Sequence, residues 1–453
     1  MSRSWAIGGI DLHLDVDGGR VRGALERALR DALRGGRLPP GTRLPSSRAL
    51  AGDLGLARNT VAAAYAQLVA EGWLEGRQGA GTRVALRPAL LPPAPSAPPP
   101  SRAPQFDLRP GVPDLTSFPR NAWLGAARRA LREAPFDAFG YGDPRGRIEL
   151  RRALAEYLAR ARGVAASPER IVVCTGLVQG LSLVEAALKT AWAVEEYGHA
   201  AHRRGLEATS LRVDGDGAVV AELGSAGAVL LTPAHQFPLG STLSPQRRRE
   251  VVAWARATGG VVVEDDYDGE FRYDRRPVGA LQALAPERVI YAGTASKSLA
   301  PGVRLGWLVV PGELLEPVLA ARAHGDWPSA LDQLTLAELI ASGGYDRHVR
   351  RMRIAYRRRR DRLVSTIDHV GGIDAGLHAL VEVDDERAAI DRARRRDLVV
   401  EGLDSYRFGE RTRGPALVVG YGTPPEHAWE GALGRLREAV EVSDTLKVSD
   451  TLK

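Results

Sequence analysis

The stretch Val289–Pro311, VIYAGTASKSLAPGVRLGWLVVP, decides how the chain is read. Its two apolar runs, Arg288 to Ala292 and Leu305 to Val310, have the length and branched side chains of buried strands. Between them lies a polar turn, Gly293-Thr294-Ala295-Ser296-Lys297-Ser298, with Arg304 seven residues after the lysine. In an α/β sheet, ligands bind where polar residues gather at the carboxyl ends of the strands. A lysine there can form a Schiff base with an aldehyde, and hydroxyls with an arginine can hold a phosphate. Lys297, Thr294, Ser296 and Arg304 are therefore candidates for one site.

Upstream, the strand Gly260 to Glu264 runs into Asp265-Asp266-Tyr267. A carboxylate on the neighbouring strand, here Asp265, can keep a pyridinium nitrogen protonated so that the ring withdraws electrons. Two more apolar runs, Arg170 to Cys174 and Ala228 to Thr232, complete a pattern of strands alternating with helices that predicts a mostly parallel α/β sheet. After the first of them, Gly176, Leu177 and Val178 open a helix whose leading N–H groups suit a phosphate. Each feature alone is ordinary surface chemistry; their joint occurrence in this order carries the argument.

The segment from Pro88 to Pro104 has eight prolines in seventeen residues, which blocks helix and ladder alike and marks a linker. Domains are expected at 1–86 and 107–441, joined by a linker over 87–106 and followed by a tail, 442–453, that repeats VSDTLK. A single cysteine, Cys174, excludes a disulfide framework and a cysteine metal cluster, and no metal site is expected. No apolar run is long enough to span a membrane and the first residues lack a signal-peptide core, so the reading is cytoplasmic, with no membrane partner. The formal net charge of +7 is spread along the chain and is compatible with phosphate partners without proving them.

In the N-terminal part, Val21, Leu25, Ala28, Leu29, Ala32 and Leu33 share one helical face. A second helix starts after Ser46-Ser47 with Leu50 and Leu54 inward, Gly55 makes a tight turn, and a third helix from Arg58-Asn59-Thr60 carries Val61, Ala64, Tyr65, Leu68 and Val69 inward. Short strands near Leu74-Glu75 and Thr82–Val84 flank a glycine-rich tip. This is the order of a winged helix-turn-helix; the alternative is a small helical dimerisation module.

The run GRLPPGTRLPSSRALAGDLGLARNTVAAAYAQLVAEGWLEGRQGAGTRVA resembles the GntR-family DNA-binding domain. The resemblance implies that Arg43, Ser47, Arg48, Arg58, Asn59 and Thr60 contact double-stranded operator DNA, with Gly79, Gly81 and Thr82 in the wing. Beyond the linker, FGYGDPRGRIELRRALAEYLARARGV, TPAHQFPLG, VVVEDDYDGEFRYDRRPVGALQAL and RHVRRMRIAYRRRRDRL resemble the MocR/GabR-type regulators, in which the head is fused to a type I pyridoxal-phosphate aminotransferase-like fold. That resemblance implies pyridoxal 5'-phosphate as cofactor, Lys297 as the Schiff-base lysine, Asp265 as partner of the pyridine nitrogen and Tyr267 as donor to the ring hydroxyl. It also implies that Tyr141 and His235-Gln236 line the pocket, from the two subunits of a head-to-tail homodimer, and that the effector is a small amine or amino acid.

Two departures from the family pattern bear on function. The turn usual before the ring-stacking aromatic is missing, so Leu181 to Glu196 is either one over-long helix or a distorted helix–strand junction, and the stacking position falls on His199 or Tyr197. Val418 stands where related aminotransferases carry the arginine that clamps a substrate carboxylate, unless Arg407, Arg411 or Arg413 replaces it. The loss favours a sensor over an enzyme. An aminotransferase with an autoregulatory head and a dimerisation scaffold with a degenerate pocket are the competing readings.

Overall fold

The computed structural model describes residues 2–7, 10–15, 21–77, 81–86, 104–273, 278–322 and 327–441. Gly79, most of the linker and the repeated tail lie outside them. The chain divides into two units, Met1–Ser101 and Arg102–Lys453.

The first unit begins with a hairpin of β1 (Ser2–Ile7) and β2 (Ile10–Asp15), which the sequence reading did not expect. Three helices follow, α1 (Val21–Arg34), α2 (Ser47–Leu54) and α3 (Arg58–Ala70). Leu25, Leu29, Leu50, Leu54, Val61 and Leu68 meet in their core. Ser46 caps α2 through Ala49 N at 3.2 Å, and Gly55 closes it with φ 58°, a left-handed turn that favours glycine. Val21 and Val69 depart from the expected inner face at 46% and 39% exposure, because they lie at helix ends that no neighbouring layer covers. The wing is β3 (Leu74–Arg77) paired antiparallel with β4 (Gly81–Val84). The chain at 42–44 lines the other edge of β4, with Leu44 N to Thr82 O and Val84 N to Thr42 O both at 2.9 Å.

In the second unit, β5 (Phe106–Asp107) is followed by α4 (Arg120–Glu133), α5 (Ile148–Arg162), β6 (Ile171–Cys174), α6 (Leu177–Leu188), β7 (Trp192–Glu195), α7 (Ala200–Arg203) and β8 (Ala208–Leu211). A small hairpin, β9 (Val213–Asp214) and β10 (Gly217–Ala218), precedes β11 (Ala228–Leu231), α8 (Pro245–Thr258), β12 (Val261–Asp265), β13 (Val289–Thr294) and β14 (Gly306–Val309). The helices α9 (Gly312–Ala320), α10 (Ala330–Ala341) and α11 (Gly344–Thr366) lead to β15 (Val370–Gly371), β16 (Ala379–Glu382), α12 (Glu386–Arg395), β17 (Leu398–Val399), β18 (Glu401–Gly402), β19 (Ala416–Val419) and α13 (Glu426–Val440).

Seven strands form the central sheet in the order β6-β14-β13-β12-β11-β7-β8, parallel throughout except for β14. Its central strands are buried on both faces, which explains their unbroken apolar sequences. Val172, Leu230, Val263 and Ile290 pack with α6 and α9 on one face. Val173, Tyr291 and Trp307 pack with α5 and α10, and Val229 and Val262 with α8, on the other. A smaller sheet, β15-β16-β19-β18, packs with α11, α12 and α13 through Leu363, Val381, Leu417, Trp429 and Leu433. The sheet registers place Asp265 beside Ala292, Thr294 beside Gly306 and Gly306 beside Cys174, so the expected site residues converge at one edge.

Candidate functional site

At that edge lies a cavity of about 350 Å³, within the range that holds a small ligand. Of the residues singled out in the sequence, Gly176, Leu177, Val178, Tyr197, His199, Asp265, Tyr267, Thr294, Ser296, Lys297 and Arg304 line it. Lys297 Nζ donates to Gly111 O at 2.5 Å. Burial lowers the lysine pKa from its ordinary value against the opposing pull of Asp265 and Asp268, which eases release of the amine as a nucleophile. Burial also pushes Asp265 well above the usual carboxylate range, and the Lys297 charge opposes that shift. A cationic group placed against Asp265 would therefore relieve an unfavourable burial.

Part of the cavity wall is suited to an anion. Gly176 adopts φ 126°, where other residues are strained, and a Cβ there would lie 3.8 Å from the Arg304 guanidinium. Thr294 Oγ1 donates to Ser296 Oγ at 3.0 Å and accepts from Ser296 N at 3.1 Å, which holds both hydroxyls beside the start of α6.

Three residues that the resemblance places at the pocket, Tyr141, His235 and Gln236, do not line the cavity within this chain. Tyr141 is 77% exposed and edges onto Trp327 in a separate groove, because the GYGDPRG loop runs over the surface of its own chain. His235 lies one layer behind the wall, its Nδ1 bonded to Asp268 Oδ2 at 2.8 Å and 3.1 Å from the Tyr267 hydroxyl. Gln236 beside it is buried and donates to Glu195 Oε2 at 3.2 Å and to Tyr197 O at 2.9 Å.

The junction left open in the sequence is a short turn. Helix α6 stops at Leu188, Lys189 takes a left-handed φ of 46°, and β7 begins at Trp192, so three residues make a connection that the family builds longer. Tyr197 is 1% exposed and packs among Leu239, Leu403, Tyr406 and Val418. Both Tyr197 and His199 line the cavity, and the His199 ring stacks 5.2 Å from that of His202.

His202 was missed in the sequence. Its Nδ1 lies 3.9 Å from Asp265 Oδ2, and burial, aided by the charges of His199, Lys297 and Arg203, lowers its pKa to about 3. His378, from the small sheet, also lines the cavity and was missed. Glu195, on the cavity wall, accepts from Thr232 Oγ1 at 2.5 Å, and burial raises its pKa to about 7. Val418 is fully buried in apolar contacts. Arg407 pairs with Asp404 at 2.6 Å, Arg411 lies 3.8 Å from Glu386, and Arg413 donates to Val213 O at 3.0 Å; none of them lines the cavity.

In the first unit, Arg58 and Asn59 are exposed at the start of α3, Arg48 is exposed on α2, and Ser47 and Thr60 are half-buried beside them. Arg43 reaches the wing: a Cβ on Gly81 would lie 3.4 Å from its guanidinium. Among the described residues Arg43, Arg48 and Arg58 form no ion pair, while Arg30 and Glu71 pair at 2.7 Å to fasten α1 to the end of α3. The exposed arginine forks are thus available to an external anion.

Residues 22–84 match the model of the bacterial regulatory proteins of the gntR family, and residues 105–381 match that of aminotransferase class I and II. The pyridoxine biosynthesis transcriptional regulator PdxR of Corynebacterium glutamicum is 34% identical, over 92% of this chain and 95% of its own. The MocR protein of Rhizobium meliloti is 34% identical over 74% of each chain. This chain belongs to the MocR/GabR subfamily of GntR transcription regulators.

A solved kynurenine aminotransferase of Pyrococcus horikoshii shares the fold of the regulator's large unit, with a TM-score of 0.66 at 22% identity over 76% of this chain and 91% of that one. The regulator thus joins a GntR winged helix-turn-helix, which binds DNA, to a type I aminotransferase fold whose cofactor is pyridoxal 5'-phosphate. The donor set fits that group: an amine, a buried carboxylate in need of a cation, and a glycine cradle with hydroxyls and an arginine beside it. Among the described residues of the regulator, no helix is long and apolar enough to cross a membrane.

Proposed function

We propose that the regulator senses pyridoxal phosphate, or an amine or amino acid that meets it, through a Schiff base on Lys297, and transmits occupancy of the cavity to the DNA-binding head. The observation that carries the reading is the convergence on one cavity of a depressed lysine amine, the destabilised Asp265 carboxylate and the Gly176–Arg304 anion cradle. Bound there, the cofactor supplies an aldehyde to the lysine and a ring that withdraws electrons. Asp265 holds the ring nitrogen protonated, with His202 behind it, and Tyr267 faces the ring hydroxyl. His199 covers the ring. Thr294, Ser296, Arg304 and the N–H groups of Gly176, Leu177 and Val178 hold the phosphate.

In this proposal residues 1–86 read the operator through Arg43, Ser47, Arg48, Arg58, Asn59 and Thr60, with Gly79, Gly81 and Thr82 in the wing. Residues 87–106 are the linker and 107–441 the effector domain. The exposed aromatic run Phe136, Phe139 and Tyr141 supports a head-to-tail homodimer in which Tyr141 serves the partner's pocket. Such a protein acts in the cytoplasm on double-stranded DNA. The apolar burial of Val418 supports sensing over turnover, since no arginine of the C-terminal strand clamps a carboxylate for proton abstraction.

The test is the absorption spectrum of the purified protein with pyridoxal phosphate, followed by borohydride reduction and peptide mapping. A Schiff-base band fixed on Lys297 and lost in K297A is expected; an unchanged spectrum in K297A would remove Lys297 from the site.

A further inference from the structure

Behind the cavity wall lies a polar cluster that the proposed function does not use. Asp268, His235 and His378 are 2%, 3% and 4% exposed, in a region otherwise packed with aromatic rings. His235 Nδ1 lies 2.8 Å from Asp268 Oδ2 and 3.1 Å from the Tyr267 hydroxyl oxygen, so one imidazole nitrogen joins the carboxylate to the tyrosine. His378 donates its Nε2–H to Pro238 O at 3.2 Å and sets its ring 5.0 Å from that of His235. The surrounding backbone leaves the imidazole no latitude. Gly376, at φ 78°, would place a Cβ 2.2 Å from His235 Cε1 and 2.6 Å from Asp268 Oδ2. Gly240, at φ 72°, closes the other side with a Cβ position 3.6 Å from His235 Nε2. A polar triangle buried this completely is costly unless every member stays satisfied.

Tyr267 lines the Lys297 cavity, and Asp268 and His235 stand behind it, linked to it through the imidazole. We propose that Asp268 and His235 are positioning residues for Tyr267: the carboxylate orients the imidazole, and the imidazole fixes the tyrosine hydroxyl where it meets the ring oxygen of the cofactor. The proposal rests on the Lys297 site reading above.

The titratable groups that face Lys297 are Asp265, Asp268, His199, His202 and His378, with the Tyr267 hydroxyl beside them; Asp268 favours the lysine cation and the histidines oppose it. The same cluster has the residue types of a two-histidine, one-carboxylate metal triad, its donor atoms within 4.8 Å of one another. The 2.8 Å His235 Nδ1–Asp268 Oδ2 contact is of hydrogen-bond length, and the zinc content of the purified protein decides between the two forms.

The experiment is a pH titration of the Schiff-base band in the full-length, pyridoxal-phosphate-loaded protein, for the parent, D268N, H235Q, Y267F and the H235Q/Y267F double variant, with zinc content measured on each. D268N should lower the midpoint by about one pH unit or more, since it removes a nearby negative charge that favours the protonated nitrogen. H235Q should shift the midpoint in the parent and leave it unmoved in the Y267F background, a coupling that a merely structural role would not give. Unmoved midpoints in D268N and H235Q, or an H235Q shift that persists in Y267F, overturns the proposal, as does one zinc per chain that is lost in H235Q. If a band forms on Lys297 but behaves in this way, only the Tyr267 assignment fails. If the parent forms no band on Lys297, the site reading fails and this proposal falls with it.

Discussion

Two sets of arginines, one in each unit, serve in opposite ways. In the head, Arg43, Arg48 and Arg58 stand in solvent with no acidic partner among the described residues. In the large unit, Arg162 is buried and grips Asp266 at 2.6 and 3.0 Å, while Tyr291 donates to the same carboxylate at 2.8 Å. The first set costs the fold almost nothing and is open to an external anion. The second is buried next to the strand end that carries Asp265. The same side chain stays available to a ligand in one unit and is a structural brace in the other, and burial decides which.

The comparison sharpens when single residues are removed. R162A should destabilise the large unit by about 3–5 kcal/mol, because it leaves the Asp266 charge buried without a partner. Chemical denaturation of the full chain reads this, and a loss under about 1 kcal/mol would break the contrast. R58A should leave stability within about 0.5 kcal/mol yet weaken operator binding by about 1–3 kcal/mol and reduce the magnitude of the salt slope by about one. Fluorescence anisotropy over a salt series checks it, and an unaltered slope would take Arg58 off the phosphates.

The smallest effect concerns His202. Its folded pKa of about 3 lies below the ordinary 6.5, so between those values the unfolded chain binds a proton that the fold refuses. Stability from this residue is therefore intact at neutral pH and is lost as pH falls below 6.5 toward 3. Relative to H202N, the parent should lose about 1–2 kcal/mol between pH 7 and pH 5, at no more than about 1.4 kcal/mol per pH unit. Melting curves of the two proteins across that range test it; parallel pH dependence would place His202 in solvent.

What the sequence revealed follows the same division. The head was legible as one continuous run, because a helix-turn-helix fixes its contacts by local spacing along two helices and a wing. The backbone at 42–44 was not, since its partner β4 lies some forty residues on and only tertiary pairing brings Arg43 to the wing. Lys297 and Asp265 were legible because strand ends announce themselves. His378 was hidden because it reaches the cavity from β16's approach in the small sheet, far along the chain. His202 was hidden because the shortened junction after α6 disturbed the pattern just before it. Tyr141 was placed in the pocket by resemblance alone, and within one chain the loop that carries it faces outward.

The central claim is that occupancy of the Lys297 cavity is felt at the DNA-binding head. The most direct test measures operator affinity at fixed salt, with and without saturating pyridoxal phosphate, for the parent and for K297A. A coupling of about 1–3 kcal/mol, equal to a 5- to 150-fold change in affinity, is expected in the parent and should vanish in K297A. Equal affinities with and without pyridoxal phosphate in the parent, or a coupling that survives in K297A, would contradict the account.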